Sequence, residues 1–205
     1  MKKLIISFVI VTAMLVCIVS AQETVSYTVV SGDSMWKIAE KYQVGVSEII
    51  SSNPGIKNPS MIYPGQKLIV PTMQGIKSLE SQVVKLVNAE RAKQGLQPLT
   101  ENWQLSRVAR YKSADMAAKN YFSHTSPTYG SPFRMMESFG IKYSSAGENI
   151  AYGQKTPQSV MTAWMNSPGH RSNIMSPSYT QIGVGYATNK GGTPYWTQMF
   201  IRPTR

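Results

Sequence analysis

The sequence predicts an α/β protein in two units, a small βααβ unit at residues 27–71 and a three-layer α-β-α sandwich at residues 81–203. Three observations predict it. Two short β-prone runs, Tyr27-Thr-Val-Val30 and Lys67-Leu-Ile-Val70, bracket two helical patterns within 45 residues. Two longer stretches, 79–95 and 103–121, carry apolar residues at helical period. Two strand-like runs, Ile182 to Thr188 and Tyr195 to Ile201, are joined through Asn189-Lys-Gly-Gly192, a hairpin signal. Helices on the outside with few strands between them give the layered sandwich.

Ahead of both units, Lys2 and Lys3 precede an apolar run from Leu4 to Val19 that closes on Ser20-Ala21, the anatomy of a secretory signal peptide at 1–21. A helix of about 16 residues spans only ~24 Å, short of a hydrocarbon core of ~30 Å. A retained N-terminal anchor is the rival reading. Cys17 raises lipidation, which the Val16 before it disfavours. Cleavage after Ala21 removes the single cysteine, so the exported chain has no disulfide and its stability rests on its core.

That chain holds 19 basic and 10 acidic residues. Residues 79–205 carry 14 basic and 6 acidic side chains, against 4 and 3 in residues 27–71. A basic surface attracts polyanions. The basic residues are scattered, with no basic run and no aromatic-rich binding motif, which excludes nucleic acid as the expected partner.

Within the first unit, Ser31-Gly32-Asp33 reads as a turn and Ser34 as the N-cap of a helix bearing Trp36, Ile38, Ala39 and Tyr42. Trp36 and Ile38 are expected in the core. A second helix runs from Ser47 through Ile49 and Ile50 to Asn53-Pro54-Gly55, and Tyr63-Pro-Gly-Gln66 turns the chain into the closing strand. Residues 72–80, polar and Gly-containing, read as a linker.

In the second unit, Leu79 to Gly95 forms a helix and Asn102 caps another at Trp103 to Tyr121. Ser123-His-Thr-Ser-Pro127, a short helix at Phe133 to Phe139, a strand at Glu148 to Tyr152 and a helix begun by Thr156-Pro157 follow, then the hairpin.

Tyr27 to Ala39, Asn53-Pro54 and Ile62-Tyr-Pro-Gly-Gln-Lys-Leu-Ile-Val-Pro71 resemble a complete LysM module. The resemblance implies binding of peptidoglycan or a chitin-like glycan in a shallow groove, with Gly32, Asp33, Ser34 and Met35 on one side and Asn53, Pro54, Gly55, Ile56 and Ile62 on the other. Acetamido groups need backbone donors and acceptors beside a small apolar contact, which a Gly-containing turn exposes. Asp33 and Ser34 are equally ordinary capping residues.

Leu86-Val-Asn-Ala-Glu-Arg91, Tyr121-Phe-Ser-His-Thr-Ser-Pro127, Gly147-Glu-Asn-Ile-Ala151, Trp164-Met-Asn-Ser-Pro-Gly-His-Arg-Ser-Asn-Ile174 and Ile182-Gly-Val-Gly-Tyr186 resemble the bacterial branch of the CAP superfamily, the SCP-like proteins. Larger CAP proteins have a cleft with two His and two Glu that sometimes holds a divalent metal. His124 and Glu148 match that pattern. Ser167 stands where the family has the other Glu, and Ser178-Tyr-Thr-Gln181 lacks the family's His, which leaves His170 as the candidate second imidazole.

His124, Glu148 and His170 therefore form the expected cavity, with His124 and His170 the candidate ligands of a metal such as zinc. Turn-capping and anchoring roles for the same residues remain open. Ser123 and Ser126 read as turn residues, and no nucleophile stands out. The resemblance implies an exported protein of a Gram-positive wall or spore surface, in reach of anionic wall polymers and not an integral membrane protein after cleavage. A non-catalytic binding or assembly role is favoured, and a LysM-targeted hydrolase or protease is the alternative.

Overall fold

The computed structural model describes residues 23–204. The expected export segment at 1–21, with Cys17, lies outside the described residues. Among the described residues no helix is long and apolar enough to cross a membrane.

The N-terminal unit has the order β1 (Thr24–Thr28), α1 (Met35–Tyr42), α2 (Val46–Ser51) and β2 (Lys67–Pro71). β1 and β2 pair antiparallel with Tyr27 opposite Leu68. Ser34 caps α1, its Oγ accepting from the Lys37 amide at 3.2 Å. α2 starts after Gly45, earlier than Ser47. Val29, Met35, Ile38, Ala39, Val44, Ile49, Leu68 and Val70 close a small core. Ile38 lies in it as expected, but Trp36 does not. Its side chain falls one position off the Met35, Ile38, Ala39, Tyr42 stripe and is 51% exposed.

Residues 72–80 do not form a linker, because α3 already begins in them and runs Gln74–Ala92. Tertiary contacts extend the helix backward past the apolar pattern. Glu80 is buried against Arg110, whose Nε meets both carboxylate oxygens at 2.9 Å, and Lys77 Nζ donates to the Tyr42 carbonyl at 2.5 Å. Burial raises the Glu80 carboxyl and the Arg110 charge opposes the rise.

After α3 come β3 (Thr100–Glu101), α4 (Trp103–Lys119), α5 (Pro132–Ser138), β4 (Ser145–Tyr152), α6 (Pro157–Met165), α7 (Pro168–Met175), β5 (Gln181–Thr188) and β6 (Pro194–Arg202). The sheet order is β3-β5-β6-β4, parallel between β3 and β5 and antiparallel elsewhere. The expected sandwich results. Val83, Val87, Val160, Trp164 and Ile174 cover one face with Ile182, Val184, Trp196 and Phe200. Leu105, Val108, Met135 and Met136 cover the other with Met199 and Ile201.

Two glycines set the spacing of the second layer. A Cβ on Gly183 would lie 2.3 Å from the Leu105 carbonyl carbon, and one on Gly185 would lie 2.1 Å from that of Ala109. α4 thus lies flush on β5, and Ser113 Oγ donates to the Gly185 carbonyl at 3.0 Å.

β4 is an edge strand, and side chains cap its outward carbonyls. Tyr179 OH donates to Ala146 O at 3.2 Å, Asn173 Nδ2 to Glu148 O at 3.2 Å, and Trp164 Nε1 to Ile150 O at 3.4 Å. These caps blunt the edge against further strand pairing. They also bind the α6–α7 segment along β4.

Candidate functional site

His124 sits on the loop between α4 and α5, and α4 fixes that loop from two points. Lys112, buried on α4, donates from Nζ to the carbonyls of Ser123 at 2.7 Å and His124 at 2.6 Å. One turn on, Asp115 accepts from Tyr121 OH and Ser126 Oγ, both at 2.7 Å, and from Thr128 Oγ1 at 2.5 Å. Burial alone would raise the Asp115 carboxyl, yet the hydrogen bonds of Thr128, Tyr121, Ser126 and Lys119 outweigh it and hold it at about 2.

The loop places His124 Nδ1 2.7 Å from Glu148 Oε1. The His124 side chain is 55% exposed, while that of Glu148 is 1% exposed. Burial raises the Glu148 carboxyl, opposed by the His124 hydrogen bond and the Lys112 charge. Its Oε2 has no partner among the described residues.

His170 is tied to β4 through its backbone. Its carbonyl accepts from Asn149 Nδ2 at 3.1 Å, and Asn149 Oδ1 accepts from Asn173 Nδ2 at 2.9 Å. Burial lowers the His170 imidazole, and the charge of nearby His124 lowers it further. Of the three sequence-predicted residues, His124 and Glu148 pair as an exposed imidazole over a buried carboxylate, while His170 reaches β4 through its backbone carbonyl. A groove of 590 Å³ lies elsewhere, between α4 and the β5–β6 hairpin at Ala117, Ala118, Ala187 and Asn189.

A catalytic zinc takes three protein ligands around an open position. Among the described residues no three His, Cys, Asp or Glu side chains converge on one point. His124 and His170 alone fall short of such a set. The serines beside His124 also lack the arrangement of a nucleophile. Ser126 Oγ is committed to Asp115 and to the amides of Thr128 and Tyr129. What the site offers is an exposed imidazole backed by a buried carboxylate.

In the N-terminal unit the nine candidate groove residues divide by role. Asp33 Oδ2 accepts from Tyr27 OH at 2.8 Å and the Val30 amide at 2.9 Å, bonds that hold its carboxyl below the usual range. Asn53 clamps β2, donating to Ile69 O at 2.7 Å and accepting from Ile69 N at 2.8 Å. Met35 is buried. Those three brace the loops. Gly32, Ser34, Pro54 and Gly55 are exposed and Ile56 and Ile62 half-buried, so these six form the accessible rim. Gly32 adopts φ 86°, a conformation that favours glycine. Val30, Met61 and Tyr63, which the sequence pattern did not single out, add exposed apolar surface in the same loops.

Residues 84–200, more than half of the chain, match the sequence pattern of the cysteine-rich secretory protein family, CAP. The chain belongs to the CAP family. Residues 27–71 match the LysM domain. An uncharacterized Bacillus subtilis (strain 168) protein, YkwD, is 60% identical over 126 residues, which are 62% of this chain and 48% of that one. SpoIVD-associated factor A of the same organism is 50% identical over 46 residues, 22% of this chain and 12% of its own. The crystal structure of an extracellular SCP-domain protein from Bacillus anthracis str. Ames aligns with a TM-score of 0.59 at 32% identity, covering 68% of this chain and 47% of that one. The chain thus spans about half the length of YkwD and of the Bacillus anthracis protein.

Several side chains that shape the CAP site escaped the sequence reading. Arg91, 2% exposed, donates from Nη1 to the carbonyls of Ile174 at 2.7 Å and Ser176 at 2.8 Å, fixing the end of α7. Asn149, Asn173 and Trp164 tie the same segment to β4. All four stand inside the motif words Leu86–Arg91, Gly147–Ala151 and Trp164–Ile174, so those words were the available signal.

Proposed function

We propose that the protein is exported and held on a bacterial wall or spore surface by its LysM module, which takes an N-acetylglucosamine-containing glycan such as peptidoglycan. Its CAP domain acts by binding or assembly through the edge of β4. The observation that carries this reading is the division of labour in residues 27–71. Asp33 and Asn53 consume their polar groups in bracing two loops, while Gly32, Ser34, Pro54 and Gly55 stay exposed on those loops, where a sugar chain can approach them.

Export and a wall or spore-surface location draw support from the LysM match and from two relatives, one described as extracellular and one as a SpoIVD-associated factor. The basic charge of residues 79–205 adds attraction to anionic wall polymers. Against catalysis in the CAP domain stand the committed Ser126 hydroxyl and Ser167 at the place of the family's other Glu.

Gly55→Glu tests the reading. A Cβ there meets nothing within 4 Å, so the variant keeps the fold while placing a charged side chain in the groove. It is expected to lose most cosedimentation with purified peptidoglycan at an unchanged melting temperature. Retention equal to the parent protein would refute the groove.

A further inference from the structure

We propose that Trp36 of the LysM module and Trp103 of the CAP domain form one aromatic platform that lengthens the glycan groove, a subsite for an N-acetylglucosamine oligomer. This rests on the glycan reading of residues 27–71.

The four tryptophans fall into two kinds. Trp164 and Trp196 are 1% and 0% exposed, and their indole N–H groups donate to Ile150 O at 3.4 Å and Gln154 O at 2.7 Å. Trp36 and Trp103 are unlike them. Their rings lie 6.1 Å apart, tilted by 47°, with Trp36 half in water and Trp103 half-buried. Neither indole N–H has a hydrogen-bond acceptor among the described residues.

The pair also sits where a sugar chain would reach it. Trp36 follows Ser34 and Met35 directly, in the first turn of α1, beside one wall of the groove. Trp103 opens α4 across the module boundary. Packing alone does not explain the pair, since a Trp recruited only to join the modules would be covered by the joint. The joint has other fastenings. Arg107 Nε meets Glu48 Oε1 at 3.2 Å, Arg107 Nη2 donates to Ser47 Oγ at 3.2 Å, and Lys77 holds the Tyr42 carbonyl.

A pyranose presents an apolar C–H face and a polar rim. Flat aromatic rings match the face, and two free indole donors match hydroxyl and acetamido oxygens on the rim. A short oligomer fills the LysM groove alone, whereas a longer one also covers the rings.

The test uses the full chain, with chitotriose and chitohexaose as probes. Because Trp164 and Trp196 are buried, acrylamide quenching of the exposed tryptophan fluorescence reports on Trp36 and Trp103. Chitohexaose is expected to shield that fluorescence in the unmodified protein and chitotriose to shield it far less. By calorimetry Trp103→Ala should weaken chitohexaose about 2- to 10-fold, the equivalent of one aromatic contact, and leave chitotriose unchanged, with Trp103→Phe restoring most of the loss. Binding of both sugars without shielding, or equal affinity of Trp103→Ala for chitohexaose, overturns the platform and leaves the LysM reading standing. A chain that binds neither sugar overturns both. The shielding measurement needs no variant, so it decides even where Trp103→Ala unfolds.

Discussion

At Glu148 and Asp115 burial and hydrogen bonding compete, with opposite outcomes. Glu148 has one bonded oxygen and one orphan, so burial prevails and its carboxyl rises. A raised carboxyl favours the fold at low pH and loses that contribution as pH climbs through its folded value. At Asp115 the bonds of the loop prevail and the carboxyl falls from 3.8 to about 2. A depressed carboxyl contributes above its unfolded value and loses the contribution as pH falls toward its folded one. Asp115→Asn is therefore expected to destabilise the protein by about 1–2 kcal/mol at pH 7, discounted for solvent near the loop. The gap from the parent should close between about pH 4 and pH 2, as followed by urea unfolding at each pH. Loss of order at His124 should accompany it, since Asp115 holds the loop that carries that imidazole.

α4 links the parts of the molecule. One stripe, Trp103, Arg107 and Tyr111, faces the LysM module, with Tyr111 OH 3.4 Å from Ser47 Oγ. Another, Leu105, Val108 and Ala109, lies on the sheet, and Lys112 and Asp115 fix the His124 loop. Its seat on β5 depends on Gly183 and Gly185. Gly185→Ala should cost about 1–3 kcal/mol through overpacking against the Ala109 backbone, read as a lower melting temperature with the same fold by circular dichroism.

α4 was legible in the sequence because Asn102 announces its start and its apolar residues recur at helical period. α7 was not, since Pro168-Gly169 reads as a breaker, although Pro there occupies the first helical turn. β3, two residues long, carries too little pattern to register. The start of α3 was hidden for another reason, as Lys77 and Glu80 are polar and gain their place only from Tyr42 and Arg110, partners distant in sequence. Among the site residues, His124 and Glu148 followed from motif words alone. Trp36 was misplaced because an aromatic residue in a short helix reads as core until its partner, 67 positions away, is known.

Across the whole molecule, a LysM unit of eight buried apolar residues and no described disulfide lies near the lower limit for unaided folding. Its contacts with α3 and α4 add support. The Glu48–Arg107 pair is partly exposed and contributes at most about 1 kcal/mol to the joint. The candidate glycan rim begins at the N-terminal end of α1, and the His124–Glu148 pair lies on the α4–α5 loop and β4.

The central claim is that glycan meets the exposed rim of residues 27–71. Amide chemical-shift mapping of the full chain titrated with chitotriose tests it most directly. The account predicts that Gly32, Ser34, Gly55 and Ile56 move together and saturate at one affinity while the amides around His124 and Glu148 stay in place. Shifts confined to the His124 loop and β4, with the LysM rim unmoved, would contradict it.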